Sequence, residues 1–223
     1  MREARNGEDL RDRIFQSSQV QVEIIDGKEE ARLVHLGVKQ QMGDRGLDSM
    51  IFDIGGGSVE TIFSRNGIVT DRHSMRMGTV RLLNQFDPDH EFEKMHTVVR
   101  KAIEKHHKMF CKLGHVTPKK LIATGGNVCC LGRLSKLYLG NNTDQKLKLK
   151  DIESLITLLH SHNTKTRQDD LGLRPDRADV IMPAILLVHE FMFQYGYKSL
   201  YISYFGLKDG VLFDLAKGCF NSF

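Results

Sequence analysis

Asp53-Ile54-Gly55-Gly56-Gly57-Ser58-Val59-Glu60 decides how the rest of the chain is read. Residues 50–54 before it and 58–64 after it read as two strands, with the triple glycine as a tight turn between them. The turn is neither a Walker A loop nor a dinucleotide fingerprint, because no Gly-Lys-Ser/Thr ending follows and it joins two strands instead of a strand and a helix. Three glycines let a backbone approach a ligand closely and take φ > 0, so that successive N–H groups can converge on an anion. Asp53 ends the first strand, and Ser58 and Glu60, two residues apart on the second, share one of its faces. Two carboxylates beside such a turn suit Mg²⁺, a hard cation that takes oxygen ligands. Glycines of this kind also serve bare hairpins with solvated acids, so the reading rests on the flanking segments.

Outward from that turn, Asn66-Gly67 predicts a second hairpin into a third strand at residues 68–74. Phe92, Met95, Val99, Ala102, Ile103, His106 and Phe110 then fall on one helical stripe. Residues 119–123 read as a buried strand entering Thr124-Gly125-Gly126-Asn127, with a helix over 128–137. Further helices are predicted at 151–160, capped by Asp151, at 177–195 with a kink at Pro183, and at 209–217; a strand is predicted at 199–204. Toward the N-terminus, residues 1–15 read as a helix, and the alternation of Val20, Val22 and Ile24 predicts a strand over 20–25. Asp26-Gly27 turns into a helix opened by Glu29-Glu30, and residues 43–46 form a loop. Strands and helices in this order predict an α/β fold whose sheet has an antiparallel hairpin edge and parallel later strands.

Composition narrows the classes. Within 223 residues, 40% are hydrophobic, enough for a packed core, and the net charge of +4 suits an anionic ligand without implying nucleic acid. The longest apolar run, residues 181–188, is too short to cross a bilayer and the N-terminus has no apolar leader, so a cytoplasmic protein without a membrane partner is expected. Cys111, Cys129, Cys130 and Cys219 show no CxxC spacing and are expected to be reduced. Ten histidines include His106-His107 and His160-x-His162, but neither pair has the spacing of a zinc site. Arg76, Arg81 and Arg177 are the cations available to an anionic substrate.

Taken together, the motifs resemble the Ppx/GppA phosphatase family. The opening octapeptide is similar to the family's Asp-hydrophobic-Gly-Gly-Gly-Ser-Thr-Glu, with Val59 in place of threonine. Asp26-Gly27-Lys28-Glu29-Glu30-Ala31-Arg32 resembles Ser-Gly-x-Glu-Glu-Ala-Arg, and Gly78-Thr79-Val80-Arg81-Leu82 resembles Gly-x-Val-Arg-Leu. Thr124-Gly125-Gly126-Asn127 is similar to the later glycine turn, while residues 177–183 and 204–210 look like the closing motifs.

The resemblance implies a ribonuclease-H-like fold, as in actin, hexokinase and the Hsp70 ATPase, with two lobes around a phosphate cleft. It divides the chain into residues 1–46, a remnant of the first lobe carrying the Glu29-Glu30 helix, and residues 47–223, the complete second lobe. The first lobe's Asp-hydrophobic-Gly-x-Asn-Ser segment has no counterpart here. That lobe is therefore expected to be largely missing, strand edges to be left unpaired, and the segment alone to turn over poorly. The implied activity is Mg²⁺-dependent release of the terminal phosphate of polyphosphate or pppGpp. Glu30 is the implied catalytic carboxylate that activates water, with Glu29 as its competitor. Gly55, Gly56, Gly57, Ser58, Gly125 and Gly126 are expected to bind phosphate, and Asp53 and Glu60 the metal. A homodimer is a further expectation. Two alternatives stand beside this reading: a catalytically inactive phosphate- or nucleotide-binding remnant of the family, and an actin-like ATP-binding protein or sugar kinase with a purine pocket near residues 124–127.

Overall fold

A computed structural model describes residues 6–46, 48–114 and 116–220 of the chain. Helices α1 (Gly7–Ser18) and α2 (Gly27–Met42) and a 3₁₀ turn (Gly43–Gly46) precede strands β1 (Ser49–Ile54), β2 (Val59–Arg65) and β3 (Ile68–Met75). The short α3 (Thr79–Leu83) and long α4 (Phe92–Lys112) lead to β4 (Lys120–Thr124), α5 (Gly126–Tyr138), β5 (Lys146–Lys148) and α6 (Leu149–His160). Helices α7 (Thr164–Asp169), α8 (Pro175–Ala178) and α9 (Ile181–Gln194), strand β6 (Ser199–Ser203) and helix α10 (Leu207–Phe220) follow.

One six-stranded sheet has the order β3-β2-β1-β4-β6-β5. Its centre, β1, β4 and β6, is parallel, and β2, β3 and β5 pair antiparallel. The β2–β3 hairpin closes through Asn66 (φ 50°) and Gly67 (φ 70°), the two left-handed residues that a type I′ turn requires.

Alternation along the strands gives the sheet two unlike faces. On one, Met50, Phe52 and Ile54 of β1 join a large core with Met95, Val99 and Ile103 of α4, Leu155 of α6 and Phe191 of α9. On the other, Ile51, Ile62 and Ile122 pack against Ala31, Val34, Val38 and Met42 of α2. Helix α10 crosses α2 where both are glycine: a Cβ at Gly210 would overlap the carbonyl oxygen of Leu33, and one at Gly37 that of Gly206. Gln41 Oε1 locks this crossing by accepting the N–H groups of Tyr204 and Phe205 at 2.8 and 3.0 Å.

Several local expectations change. Residues 20–25 pair with no strand among the described residues, and Val20 is 55% exposed. Alternation alone cannot hold a strand that has no ladder to join. Pro183 makes no kink, because the expected helix divides into α8 and α9 and places the proline in the first turn of α9. There its missing N–H would have had no intrahelical partner. Strand β5 and helices α3 and α7, all short, were not anticipated. Cys111, Cys129 and Cys130 are free thiols, and the side chain of Cys219 lies outside the described residues, as do residues 1–5 of the first expected helix. Among the described residues no helix is long and apolar enough to cross a membrane.

Candidate functional site

Strand register assembles the acids. Antiparallel pairing sets Asp53 opposite Glu60, and parallel pairing sets it beside Thr124, at the carboxyl end of the central strands where both glycine turns begin. Asp53 shares a face with Ile51, and Glu60 with Ile62, so both lie on the α2 side. The first turn of α2 carries Glu30 to the same place. Burial, and then the charges of Glu30 and Glu60, push the Asp53 carboxyl up to about 7. The Glu60 carboxylate accepts the hydroxyls of Ser58 at 2.9 Å and Ser74 at 2.8 Å.

Helix geometry separates Glu29 from Glu30. Asp26 caps α2 by accepting the Glu29 N–H at 2.7 Å, which fixes the phase of the first turn. Glu29 then meets Arg32 one turn on, at 2.7 and 2.8 Å, and the same guanidinium holds Asp214 of α10 in a second two-bond contact. Glu29 is committed to the α2–α10 surface, whereas the charge of Glu30 is felt by Asp53.

The triple glycine does not use φ > 0, contrary to the sequence expectation: positive φ occurs at Gly125 (113°) but at none of Gly55, Gly56 and Gly57. Close approach is what limits these positions. Carbonyls of the turn cap α3, with Gly55 O accepting from Thr79 N at 3.0 Å, Gly56 O from Val80 N at 3.0 Å and Gly57 O from Gly78 N at 3.1 Å. A planar trans peptide points its C=O and N–H in opposite directions. The N–H groups of Gly56, Gly57 and Ser58 therefore face away from α3, three donors in succession on an exposed turn. Gly78 is the buttress, since a Cβ there would overlap the Gly56 carbonyl. Arg81 adds an Nε donor to Gly57 O at 3.0 Å.

The second turn adjoins the first. A Cβ on Gly125 would lie 3.0 Å from Ile54 O and 3.6 Å from Asp53 Oδ1, and one on Gly126 would lie 2.7 Å from the Arg177 guanidinium. Arg177 Nη1 donates to the buried Asn127 Oδ1 at 2.9 Å, so a cation from α8 stands at the N-terminus of α5. Every site residue expected from sequence is thus brought to one end of the sheet. Ser58 enters with its hydroxyl on Glu60 and its N–H in the donor series. Ser74, Gly78 and Asn127 were missed as site residues, and Arg177 was named only as an available cation, although the Glu29–Arg32 spacing of three was a readable signal for which glutamate is engaged.

A model of the Ppx/GppA phosphatase family matches residues 1–218. The chain belongs to the Ppx/GppA phosphatase family. Among curated relatives, it is 25% identical over 203 residues to a putative exopolyphosphatase of Haemophilus influenzae, covering 88% of this chain and 60% of that protein. It is 23% identical to a guanosine-5'-triphosphate,3'-diphosphate pyrophosphatase of Aeromonas salmonicida, covering 87% of this chain and 39% of that one. The chain therefore spans about half the length of the curated relatives it matches. An exopolyphosphatase structure from Cytophaga hutchinsonii superposes with a TM-score of 0.80 at 26% identity, over 97% of this chain and 72% of the other. A Ppx/GppA family member from Aquifex aeolicus gives a TM-score of 0.76 at 21% identity, over 96% and 71%. The ribonuclease-H-like, actin-like fold of Ppx/GppA proteins is the fold of this chain.

Proposed function

We propose that the chain carries the hydrolytic half-site of a phosphatase that releases the terminal phosphate of polyphosphate or pppGpp. The observation carrying this reading is the convergence of Glu30, Asp53 and Glu60 beside three successive outward N–H groups. In this reading residues 47–223 are the second lobe and residues 1–46 belong to the first, with α2 packed on the sheet and the charge of Glu30 acting on Asp53. The turn's N–H groups and Arg177 bind phosphate oxygens, and the Glu30 carboxylate orients a water and accepts its proton.

The donor set fits Mg²⁺, because burial and the charges of Glu30 and Glu60 raise the proton affinity of Asp53, and a hard cation bound there relieves that cost. Asp53 and Glu60 would hold it, and bound there it would neutralise charge on the phosphate. Phosphate release from polyphosphate and from pppGpp, measured with and without Mg²⁺, tests the reading, with light scattering to report the expected homodimer. Glu30→Gln should lower turnover by about 10² to 10⁴ with polyphosphate affinity nearly unchanged. An undiminished rate removes Glu30 from the mechanism, and tight binding without turnover in the parent favours the inactive alternative.

A further inference from the structure

On the opposite face of the sheet from Glu30, Asp53 and Glu60, helix α4 brings His96 against His189 and Glu190 of α9. One ligand atom from each lies within 4.8 Å of the others. His96 Nε2 is 2.6 Å and His189 Nδ1 3.3 Å from the same Glu190 oxygen. Metal–ligand bonds of about 2.0–2.1 Å in a tetrahedron set ligand atoms about 3.3 Å apart, so small side-chain shifts suffice to seat an ion. Glu190 is 2% exposed, a buried carboxylate that needs a counter-charge. His189 Nδ1 is buried and makes no hydrogen bond among the described residues, and an orphaned ring nitrogen aimed at a carboxylate calls for an explanation. Gln194, one turn on, places its Nε2 3.5 Å from the other Glu190 oxygen, the position of an outer-shell group that orients a ligand.

We propose that His96, His189 and Glu190 form a site for a divalent transition cation of the Zn²⁺ type that clamps α4 to α9. Two imidazole nitrogens and one carboxylate suit zinc rather than magnesium, and a fourth position is left to water. Sequence spacing hides the site, because His96 lies 93 residues from His189 (189 − 96).

Chelator-treated protein would be titrated with Zn²⁺ by calorimetry, and its melting followed with the metal in excess. The expected result is one tight equivalent and a rise in Tm of about 5–10 °C at a hundredfold excess over Kd. His96→Gln and His189→Gln should each lose both effects, while His90→Gln, on an exposed histidine, keeps them. Co²⁺ added to the parent should give the intense visible absorption of a four-coordinate site, a reading independent of whether any variant folds. A parent without that absorption, or His96→Gln and His189→Gln proteins that keep the tight equivalent, would overturn the proposal.

Discussion

On one face of the sheet Phe52 stacks on Phe191 at 4.1 Å between ring centroids, and Tyr195 stacks on the other side of Phe191 at 4.5 Å. On the other face the contact is made by seven smaller buried residues, and two helices cross through glycines. The first face holds the larger apolar core, with a few buried polar groups such as Glu190 set within it. The second carries the candidate site's acids, and its end raises the energy of the fold: burial, and then the charges of Glu30 and Glu60, drive the proton affinity of Asp53 up. Stability and the candidate chemistry are thus placed on opposite sides of one sheet, a division that mutations can break.

Phe191→Ala should have the largest effect, destabilising by about 3–5 kcal/mol because a fully buried ring is lost between two stacked partners. Val38→Ala on the α2 face should cost only about 2 kcal/mol. Urea denaturation measures both, and equal losses would erase the distinction between the faces. Phosphate affinity of the folded Phe191→Ala protein should stay at the parent level.

Asp53→Asn should act in the opposite direction. With its carboxyl raised to about 7, the native state holds a proton that the unfolded chain has released above about pH 4. Parent stability should therefore fall as pH rises from about 4 to 7 and level off above that. Removing the titration should leave Asp53→Asn more stable than the parent at pH 8, by about 2–4 kcal/mol, while abolishing its response to Mg²⁺. Melting temperatures against pH check this, and identical profiles would show that the acids are not a strained cluster.

Gly78→Ala should cost about 1–3 kcal/mol and weaken phosphate binding, since the new methyl displaces the Gly56 carbonyl and swings the donor series with it. Gly57→Ala should change stability by less than about 0.5 kcal/mol, because a Cβ there meets nothing within 4 Å. Calorimetric phosphate titration separates the two, and comparable losses would mean that the turn, not its buttress, sets the geometry.

What sequence made legible was whatever a few neighbouring residues determine. Asn66-Gly67 specifies its own turn, and Asp53, Ser58 and Glu60 reach one place through strand alternation and the tight turn that sets the hairpin register. Residues 20–25 show the limit, for their alternation is real but a ladder partner is supplied from elsewhere in a fold. Pro183 is the same lesson in a helix: whether it kinks or starts one depends on where the preceding turn ends. The triple glycine was assigned the wrong cause, because only tertiary contact with α3 reveals that close packing, and not left-handed backbone, limits it. Arg177 was recognised as a cation, yet its station beside Gly126 depends on a contact 50 residues away with Asn127.

Arg32→Ala should have the smallest effect and sharpens the comparison at its most exposed point. Arg32, Glu29 and Asp214 are 47%, 40% and 42% exposed, so water already screens their charges and the lost contacts should cost no more than about 1 kcal/mol. The variant nevertheless releases Glu29 from its only described cation. If Glu29 then stood in for Glu30, Arg32→Ala would restore part of the turnover lost in Glu30→Gln. Its position argues otherwise: successive helical residues point about 100° apart, and the phase fixed by the Asp26 cap sends Glu29 toward α10. The double variant should therefore be as slow as Glu30→Gln alone. Recovered phosphate release would show that the salt bridge, and not helix phase, chooses between the two glutamates.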